Sequence, residues 1–282
     1  MRAGGYLIMK IGLCQMMISK SNKMDNLKRA QYMIHEAVKR GAEIVALPEI
    51  FNCYYNLKYF KKYAENPHNY GETLNMLSST ARELGIYLIG GSIPEIDEKG
   101  NLYNTSFTFN EKGELIGKYR KIHLFDVNIN NKVNFKESDT LTPGNKISVI
   151  DTKWGKIGIA ICFDIRFPEL IRIMALKGAN AIFVPAVFSM ATGPDHWETL
   201  FKSRAVDNQL YMVGISPARN TNYSYAAYGY SVAVDPWGKI INILDEKEGI
   251  LISELDLDYI QKVRKSLPIL KNVRRDIYKS LL

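Results

Sequence analysis

Three ionisable side chains of this chain follow directly on apolar, strand-like runs. Glu49 comes after Val-Ala-Leu-Pro, Lys121 after Gly-Lys-Tyr-Arg, and Cys162 after Gly-Ile-Ala-Ile. Residues at strand ends in α/β folds converge on one rim of a sheet, where clefts form. We therefore expect these residues, far apart in sequence, to meet in one site. A thiol, a carboxylate and an amine brought together could carry out nucleophilic catalysis.

Each of the three residues also has a plain structural interpretation. Free cysteine is among the most buried residue types, so Cys162 could be a small core residue. Charged residues are mostly exposed, so Glu49 could be a solvated loop carboxylate and Lys121 a surface charge. Their position at strand ends suggests a site but does not establish one. The rest of the sequence has to decide.

The composition is that of a globular chain. It has 282 residues, of which 46% are hydrophobic and 23% charged, enough for one large domain or two small ones. No apolar run is long enough to cross a bilayer, so we expect no membrane partner. The apolar stretch near the start is too short for a secretory signal. Because Met9 is a more natural start, residues 1–8 are expected to be an extension outside the fold.

The cysteines and the charge exclude further classes of protein. Cys14, Cys53 and Cys162 are widely separated and form no disulfide or metal-ligand pattern, which favours a reducing, cytoplasmic compartment and no metal. The formal net charge is +8. Its lysines are scattered, however, and no basic run carries interleaved aromatic residues. We therefore expect no nucleic acid as a partner, and a basic nucleic-acid-binding module remains an alternative from another class.

Strand-like and helix-like segments alternate through most of the chain. Hydrophobic periodicity predicts helices over residues 22–40, 73–84, 168–176 and 195–208. Strands are predicted over residues 10–16, 43–47, 86–90, 103–109, 114–119, 156–161, 181–184, 210–215, 230–234, 239–243 and 250–254.

The middle of the chain changes character. Asn110-Glu-Lys-Gly113 is a turn signal that predicts a hairpin, and the polar residues 122–146 predict a long loop. Hairpins mixed with alternating elements make a purely parallel sheet improbable. The pattern favours a mixed α/β fold in which sheets stack face to face and helices lie outside.

Three motifs resemble a known family. They are Leu47-Pro48-Glu49, Tyr119-Arg120-Lys121-Ile-His-Leu124 and Ile161-Cys162-Phe-Asp-Ile-Arg166-Phe167. They resemble the active-site motifs of the nitrilase (carbon–nitrogen hydrolase) superfamily, in that family's order and at similar spacing. The resemblance covers essentially the whole chain from Met9 onward. A narrower similarity to the ω-amidase branch lies in Phe135-Lys-Glu137-Ser, Thr192-Gly-Pro-Asp-His196-Trp197-Glu198, Ser203-Arg-Ala-Val-Asp-Asn208, Ser216-Pro-Ala-Arg219 and Val234-Asp-Pro-Trp-Gly238.

The resemblance implies a four-layer αββα sandwich and a Glu-Lys-Cys triad. Cys162 would be the nucleophile, Glu49 the general base and acid, and Lys121 the oxyanion stabiliser, together with the backbone N–H of Phe163. Glu137 matches the family's second glutamate and is expected to orient Lys121 or to help position the substrate. The resemblance also implies a single domain over residues 9–282 that dimerises through helices.

These residue types suit amide hydrolysis. An amide is a poor electrophile with a poor leaving group, so it needs a thiolate, a stabiliser for the oxyanion and an acid for the departing ammonia. A nearby cation such as Lys121 is expected to lower the pKa of the thiol from about 8.5. No metal or organic cofactor is needed for this chemistry.

The ω-amidase resemblance implies a substrate class. It implies hydrolysis of short dicarboxylic monoamides, 2-oxoglutaramate or 2-oxosuccinamate, to the acid and ammonia through a cysteine thioester. Tyr55, Phe163, Phe188 and Thr192 are expected to line the pocket. The sequence departs from the branch at Asn56, Phe163 and Ala191, where glycine, tyrosine and threonine are frequent. These departures concern the substrate, so an N-carbamoyl-amine hydrolase or a general aliphatic amidase is the alternative.

Further expectations concern the neighbours of the motifs. Asp164 and Arg166 are expected to brace the nucleophile's turn by an ion pair. His123 and His196 offer a cysteine–histidine alternative, but no signature of papain-like enzymes accompanies them. A non-catalytic binding protein with the same fold is a further alternative. Residues 266–282, basic and weakly periodic, would either wrap onto a partner subunit or fray.

Overall fold

The structure, a computed structural model, describes residues 7–20, 22–129, 133–274 and 276–278. The strands are β1 Ile8–Gln15, β2 Ile44–Ala46, β3 Tyr87–Ile89, β4 Ile93–Ile96, β5 Leu102–Phe109, β6 Leu115–Arg120, β7 Asp126–Ile129, β8 Val133–Lys136, β9 Ser148–Thr152, β10 Gly155–Ile159, β11 Ala179–Pro185, β12 Tyr211–Ile215, β13 Val232–Val234, β14 Ile240–Ile243 and β15 Gly249–Asp256. The helices are α1 Lys23–Lys39, α2 Leu57–Tyr63, α3 Glu72–Leu84, α4 Pro168–Leu176, α5 Gly193–Asn208 and α6 Leu257–Ser266.

The described strands form two large mixed sheets. The first sheet has seven strands, with β15, β1, β2, β3, β5 and β4 in order and β6 paired to β5. The second has six strands in the order β14, β13, β12, β11, β10, β9. In both sheets the central pairs are parallel and antiparallel strands lie at the edges, because helices and hairpins both connect the strands.

The two sheets bury one apolar core between them. Along β1, Ile11 and Leu13 lie in the same core cluster as Ile157 and Ile159 of β10, whereas Cys14, the residue after Leu13, lies in the cluster on the α1 side. This alternation follows from the period of two along a strand. Helices α1 and α3 cover the outer face of the first sheet, and α4 and α5 cover the outer face of the second. The predicted four-layer αββα sandwich is therefore confirmed.

Several elements differ from the sequence prediction. The predicted loop over residues 122–146 contains the β7–β8 hairpin and a 3-10 turn at Glu137–Asp139. The short elements α2, β4, β9 and α6 were not predicted. The first three are too short to show a clear apolar period, whereas α6 was missed although Leu257, Ile260 and Val263 recur at helical spacing. Among the described residues, no helix is both long and apolar enough to span a membrane.

Both ends of the chain refine the predicted boundaries. Ile8 is the first residue of β1 and pairs with Asp256, so it belongs to the first sheet rather than to an extension. Residues 1–6 lie outside the described residues, and the prediction for them stands as a prediction. At the other end, α6 ends at Ser266, where the predicted tail begins. Residues 275 and 279–282 of that tail also lie outside the described residues.

Candidate active site

Glu49 lies in a tight turn just beyond β2. Its backbone approaches Gly91, whose φ is +53° and where a Cβ would lie 2.0 Å from the carbonyl oxygen of Pro48. Only glycine tolerates that approach. Ile50, the next residue, has a φ of +50°, which is a strained position for a β-branched side chain. The turn thereby directs the Glu49 carboxylate inward, where only 1% of the residue is exposed.

Lys121 follows β6 and lies between two carboxylates. Its Nζ is 3.2 Å from Oε1 of Glu49 and 3.0 Å from Oε1 of Glu137. All three residues are buried. Burial acts to lower the pKa of Lys121, but the negative charges of Glu137 and Glu49 outweigh it and hold that pKa well above its usual range. Lys121 is therefore a permanently charged ammonium group at neutral pH.

Glu137 begins the 3-10 turn that follows β8. Its Oε1 accepts a hydrogen bond from the Tyr55 hydroxyl at 2.7 Å, and its Oε2 accepts one from the backbone N–H of Phe125, also at 2.7 Å. With Lys121 Nζ bound as well, both carboxylate oxygens are engaged by fixed donors. Glu137 therefore holds the lysine ammonium in place, and it does not itself contact the Cys162 thiol by any hydrogen bond found in the structure.

Cys162 starts the 3-10 turn Cys162–Arg166 just beyond β10. Its φ is +48°, in the left-handed region that non-glycine residues seldom adopt. Strain of this kind is typical of functional sites, where the surrounding structure enforces it. The thiol Sγ lies 3.9 Å from the carbonyl oxygen of Val187, and Cys162 is close enough to Glu49 to act against the rise of that carboxyl's pKa. The three strand-end residues predicted from the sequence therefore meet in one buried cluster.

The turn of Cys162 is held by Asp164, and not in the way predicted. The Asp164 carboxylate accepts hydrogen bonds from the Ile161 backbone at 3.0 Å, from the Tyr119 hydroxyl at 2.7 Å, and from the backbone and ring of His123. The expected ion pair with Arg166 is wrong, because these donors already occupy both oxygens. His123 is likewise engaged by Asp164 and stacks on Phe167, so it is not directed at the thiol.

Burial governs the proton affinities at this cluster. It raises the pKa of the Cys162 thiol well above its usual range, Glu49 adds to the effect, and the opposing influence of Lys121 is smaller. The prediction that Lys121 would lower the pKa of the Cys162 thiol below its usual value is therefore wrong for the free enzyme. Burial also raises the pKa of Glu49, although Lys121 opposes that change. A neutral thiol thus faces a carboxylate whose proton affinity is raised.

The comparisons with known proteins agree with this arrangement. A family model described as carbon–nitrogen hydrolase matches residues 10–265. The chain belongs to the carbon–nitrogen hydrolase family. It is 48% identical to the omega-amidase NIT2-A of Xenopus laevis over 95% of this chain and 96% of that protein. It is also 48% identical to the omega-amidase NIT3 of Saccharomyces cerevisiae, over 95% of this chain and 94% of that one.

Solved structures of the family show the same fold. The crystal structure of Saccharomyces cerevisiae Nit3, a member of branch 10 of the nitrilase superfamily, superposes with a TM-score of 0.89 at 44% identity. The alignment covers 96% of this chain and all of that one. The predicted resemblance to the nitrilase superfamily and its ω-amidase branch is confirmed, and this carbon–nitrogen hydrolase is an amidohydrolase.

The predicted pocket residues of this carbon–nitrogen hydrolase lie on two sides of the cluster. Tyr55 stacks on Phe135 at 5.3 Å and lines a pocket beside Glu49. On the other side, the guanidinium of Arg166 lies 5.8 Å from the ring centroid of Phe163 and 4.9 Å from that of Phe188. Thr192 is buried at the start of α5. Phe163 and Phe188 thus lie beside Arg166, and Tyr55 contacts Glu137. The side chain of Thr192 makes no capping hydrogen bond at the start of α5.

Three contributors to the site were missed from the sequence. Asn104 of β5 donates from Nδ2 to Glu49 at 2.8 Å, and the backbone N–H of Val187 donates to the same carboxylate at 2.8 Å. The Tyr225 hydroxyl donates to the Val187 carbonyl at 3.2 Å, beside the thiol. β5 also carries Thr105, Ser106 and Thr108, so its polar residues did not mark Asn104 as a contact of Glu49. No sequence signal marks a backbone donor such as Val187.

Proposed function

We propose that this carbon–nitrogen hydrolase cleaves the terminal amide of short dicarboxylic monoamides of the 2-oxoglutaramate or 2-oxosuccinamate type. The products are the dicarboxylic acid and ammonia. One observation carries the proposal: a buried ammonium, Lys121, joins Glu49 and Glu137, and the Val187 backbone contacts both the Glu49 carboxylate and the Cys162 thiol. The similarity to proteins named omega-amidase over nearly their whole length supports the substrate class.

In the first half of the reaction, Glu49 takes the proton of the Cys162 thiol as the sulfur attacks the amide carbon. Because the thiol is neutral in the free enzyme, proton transfer accompanies the attack. The ammonium of Lys121, with the N–H of Phe163, holds the negative oxygen of the tetrahedral intermediate; one such donor contributes about 3–4 kcal/mol. Glu49 then passes its proton to the amide nitrogen, ammonia leaves, and a thioester on Cys162 remains.

In the second half, water replaces ammonia. Glu49, again a carboxylate, removes a proton from water while the water oxygen attacks the thioester carbon. The intermediate collapses, the carbon–sulfur bond breaks, and the proton on Glu49 returns to the sulfur. Lys121 is never deprotonated in this sequence, which agrees with its raised pKa. Glu137 and Tyr55 keep the ammonium of Lys121 at the position where an oxyanion forms in each half of the reaction.

Arg166 is the best candidate to bind the distal carboxylate of the substrate. Its guanidinium is half-buried between Phe163 and Phe188, and burial lowers its pKa. Its one hydrogen-bond partner among the described side chains is the ring of His196, at 3.0 Å, and no described carboxylate lies within ion-pair distance. A guanidinium held near a thiol without a carboxylate partner suits an anionic substrate, because it offers a planar fork of donors.

An ammonia-release assay tests the substrate class. We expect turnover of 2-oxoglutaramate and succinamate, and little or none of N-carbamoylputrescine or a simple nitrile, because Arg166 recognises a carboxylate that the latter two lack. Turnover of the carbamoyl compound alone would contradict the ω-amide proposal and favour the N-carbamoyl-amine hydrolase.

A variant at Arg166 sharpens this assay. Arg166→Gln is expected to raise KM for succinamate on the order of tenfold to a hundredfold, the value of a charge-assisted hydrogen bond, with little change in kcat. Butyramide, a neutral amide of the same length, serves as the matched control: it lacks the carboxylate, so its turnover should be low in the wild type and unchanged by the substitution. Equal losses for both amides would assign Arg166 to the fold rather than to the carboxylate.

We also propose that the chain works as a homodimer or a higher homo-oligomer. The surface formed by α4, α5 and the C-terminal segment supports this proposal. Val206 and Tyr278 expose 39% and 45% of their surface there, and Nη1 of Arg172 is buried without a hydrogen-bond partner among the described residues. Apolar exposure beside an unsatisfied guanidinium is typical of a surface that a second subunit covers.

Size-exclusion chromatography with light scattering tests the role of the tail. The full chain is expected at twice 32.1 kDa, and a chain that ends at Ser266 at the monomer mass, because the tail carries part of this apolar surface. Tyr278→Ala should weaken the dimer, whereas Tyr32→Ala, an exposed tyrosine on α1, should not. An unchanged dimer after truncation would remove the tail from the interface.

We propose the cytoplasm as the compartment, on the basis of thiol chemistry. All three cysteines, Cys14, Cys53 and Cys162, are free and buried. The mechanism requires the last of them to be reduced, and cytoplasmic glutathione and thioredoxin maintain that state.

A further inference from the structure

Asn104 is a buried amide that contacts the proposed general base. It lies on β5 with 1% of its surface exposed, and its Nδ2 is 2.8 Å from Oε1 of Glu49. A carboxylate only accepts hydrogen bonds, so the amide nitrogen and not the amide oxygen faces it. The orientation of the Asn104 side chain is therefore fixed by its partner.

The backbone of the same residue positions the lysine. The N–H of Lys121 donates to the carbonyl oxygen of Asn104 at 2.8 Å, one step beyond the β5–β6 register that pairs Thr105 with Arg120. Asn104 thus contacts Glu49 through its side chain and Lys121 through its main chain. A substitution of Asn104 is therefore expected to alter the position of the Glu49 carboxylate relative to the Lys121 ammonium.

The hydrogen bonds to Glu49 leave its two oxygens unequal. Oε1 accepts from Lys121 at 3.2 Å and from Asn104 at 2.8 Å, whereas the one donor to Oε2 among the described residues is the Val187 backbone, at 2.8 Å. Each carboxylate oxygen has two lone pairs. Both lone pairs of Oε1 are used, so the free position for a proton from Cys162 is on Oε2.

The amide oxygen of Asn104 indicates why an asparagine occupies this position. Its Oδ1 is buried and has no hydrogen-bond partner among the described residues. An unpaired buried acceptor is unfavourable, and an apolar residue of similar shape would avoid that cost. Packing alone therefore does not account for an asparagine here, whereas a donor to Glu49 does.

We propose that Asn104 is a positioning residue that reserves Oε2 of Glu49 for the proton of Cys162 and keeps the carboxylate ionised. The proposal rests on the proposed role of Glu49 as the base. Because the amide donates to the charged form of Glu49, its removal raises the pKa of that carboxyl. The acid limb of the reaction then moves to higher pH.

The pH dependence of Cys162 alkylation tests this directly. With iodoacetamide, the thiol proton passes to Glu49, the sulfur–carbon bond forms and iodide leaves, so the rate requires an ionised Glu49 and no amide substrate. For Asn104→Leu we expect the acid limb of the alkylation rate, read by mass spectrometry at Cys162, to move up by about one pH unit. The rate on the acid side falls about tenfold, and the plateau at higher pH changes less.

Two further variants separate positioning from folding. Asn104→Asp keeps the side-chain shape but replaces the donor with a second carboxylate, so its acid limb should move further. Asn26→Leu removes an equally buried asparagine on α1, whose amide donates to the Ser19 and Asn52 carbonyls, and should leave the limb in place.

The outcomes distinguish two failures. An acid limb that Asn104→Leu does not move, or that Asn26→Leu moves as much, would overturn the role of Asn104 and leave Glu49 as the base. A wild-type rate without any acid limb would remove Glu49 as the base and overturn both. The substrate class is not involved in either outcome, because the ammonia assay tests it separately.

Discussion

Replacing Cys162 with alanine is expected to abolish amide hydrolysis while the fold is retained. The thioester cannot form without the sulfur. Two hydroxyls described beside the cluster are already engaged, that of Tyr55 by Glu137 and that of Tyr225 by the Val187 carbonyl. The ammonia-release rate should fall by about 10⁴-fold or more, as when a covalent nucleophile is removed.

The stability of the variant should change little. Alanine removes one heavy atom. The left-handed backbone of the turn should be retained, because the Ile161 N–H still donates to the Asp164 carboxylate. The cost of such a truncation is about 1 kcal/mol or less, measured as a shift in Tm. Mass spectrometry after mixing with succinamate should show an acyl adduct on the wild-type chain and none on the variant.

A second buried cysteine provides the matched control. Cys14 on β1 is fully buried against α1, and burial raises the pKa of its thiol above the usual range. Cys14→Ala is expected to cost at least as much stability as Cys162→Ala and to retain turnover. Wild-type activity in Cys162→Ala would contradict the entire mechanism, since every step passes through that sulfur.

The sequence predicted the elements that strong local signals define. Helix α4 was predicted over its full length, because Pro168 suits the first helical turn and the apolar period that follows is clear. Gly85, which directly follows the predicted helix 73–84, adopts the left-handed conformation typical of a helix end. The β7–β8 hairpin was taken for a loop, because the alternation of polar and apolar residues in β7 spans only four residues within a polar segment.

The site was predictable to the extent that strand ends and motifs determine it. The strand ends placed Glu49, Lys121 and Cys162 together. The backbone contact of Asn104 with Lys121 depends on the β5–β6 register, which a bulge next to Thr108 shifts, and no sequence pattern reveals that shift. The balance of burial and charge at Cys162 depends on distances in the folded chain, so the net direction of the thiol pKa could not be predicted from residue types alone.

Replacing Lys121 with methionine should both inactivate and destabilise the protein. Activity loses an oxyanion donor, which costs about 10²–10³-fold in kcat. Stability falls because Glu49 and Glu137, both buried, lose the ammonium between them. Breaking a buried ion pair from one side typically costs about 3–5 kcal/mol, so we expect a loss of this size in the free energy of unfolding at pH 8.

The loss should depend on pH in a defined direction. Burial already raises the pKa of Glu49 above 4.5, and without Lys121 the attraction that opposes this rise is gone. The folded variant then binds protons more tightly than the unfolded chain. Its stability therefore falls as pH rises from about 4.5 through the raised folded pKa, and the deficit relative to the wild type narrows in acid. Urea unfolding at pH 5 and pH 8 measures the difference.

Two controls identify the buried carboxylates as the cause. Lys39→Met removes an exposed lysine that also pairs with a glutamate, Glu36, and should leave stability nearly unchanged at either pH, because solvent screens exposed pairs. Adding Glu137→Gln to Lys121→Met removes one of the two buried negative charges that repel each other. Stability at pH 8 should therefore partly return, while activity does not. A deficit that is the same at both pH values would mean that packing of the lysine stem, and not its charge, holds the site together. Together, the stability and activity measurements decide whether the positive charge of Lys121 both stabilises the folded protein and holds the oxyanion.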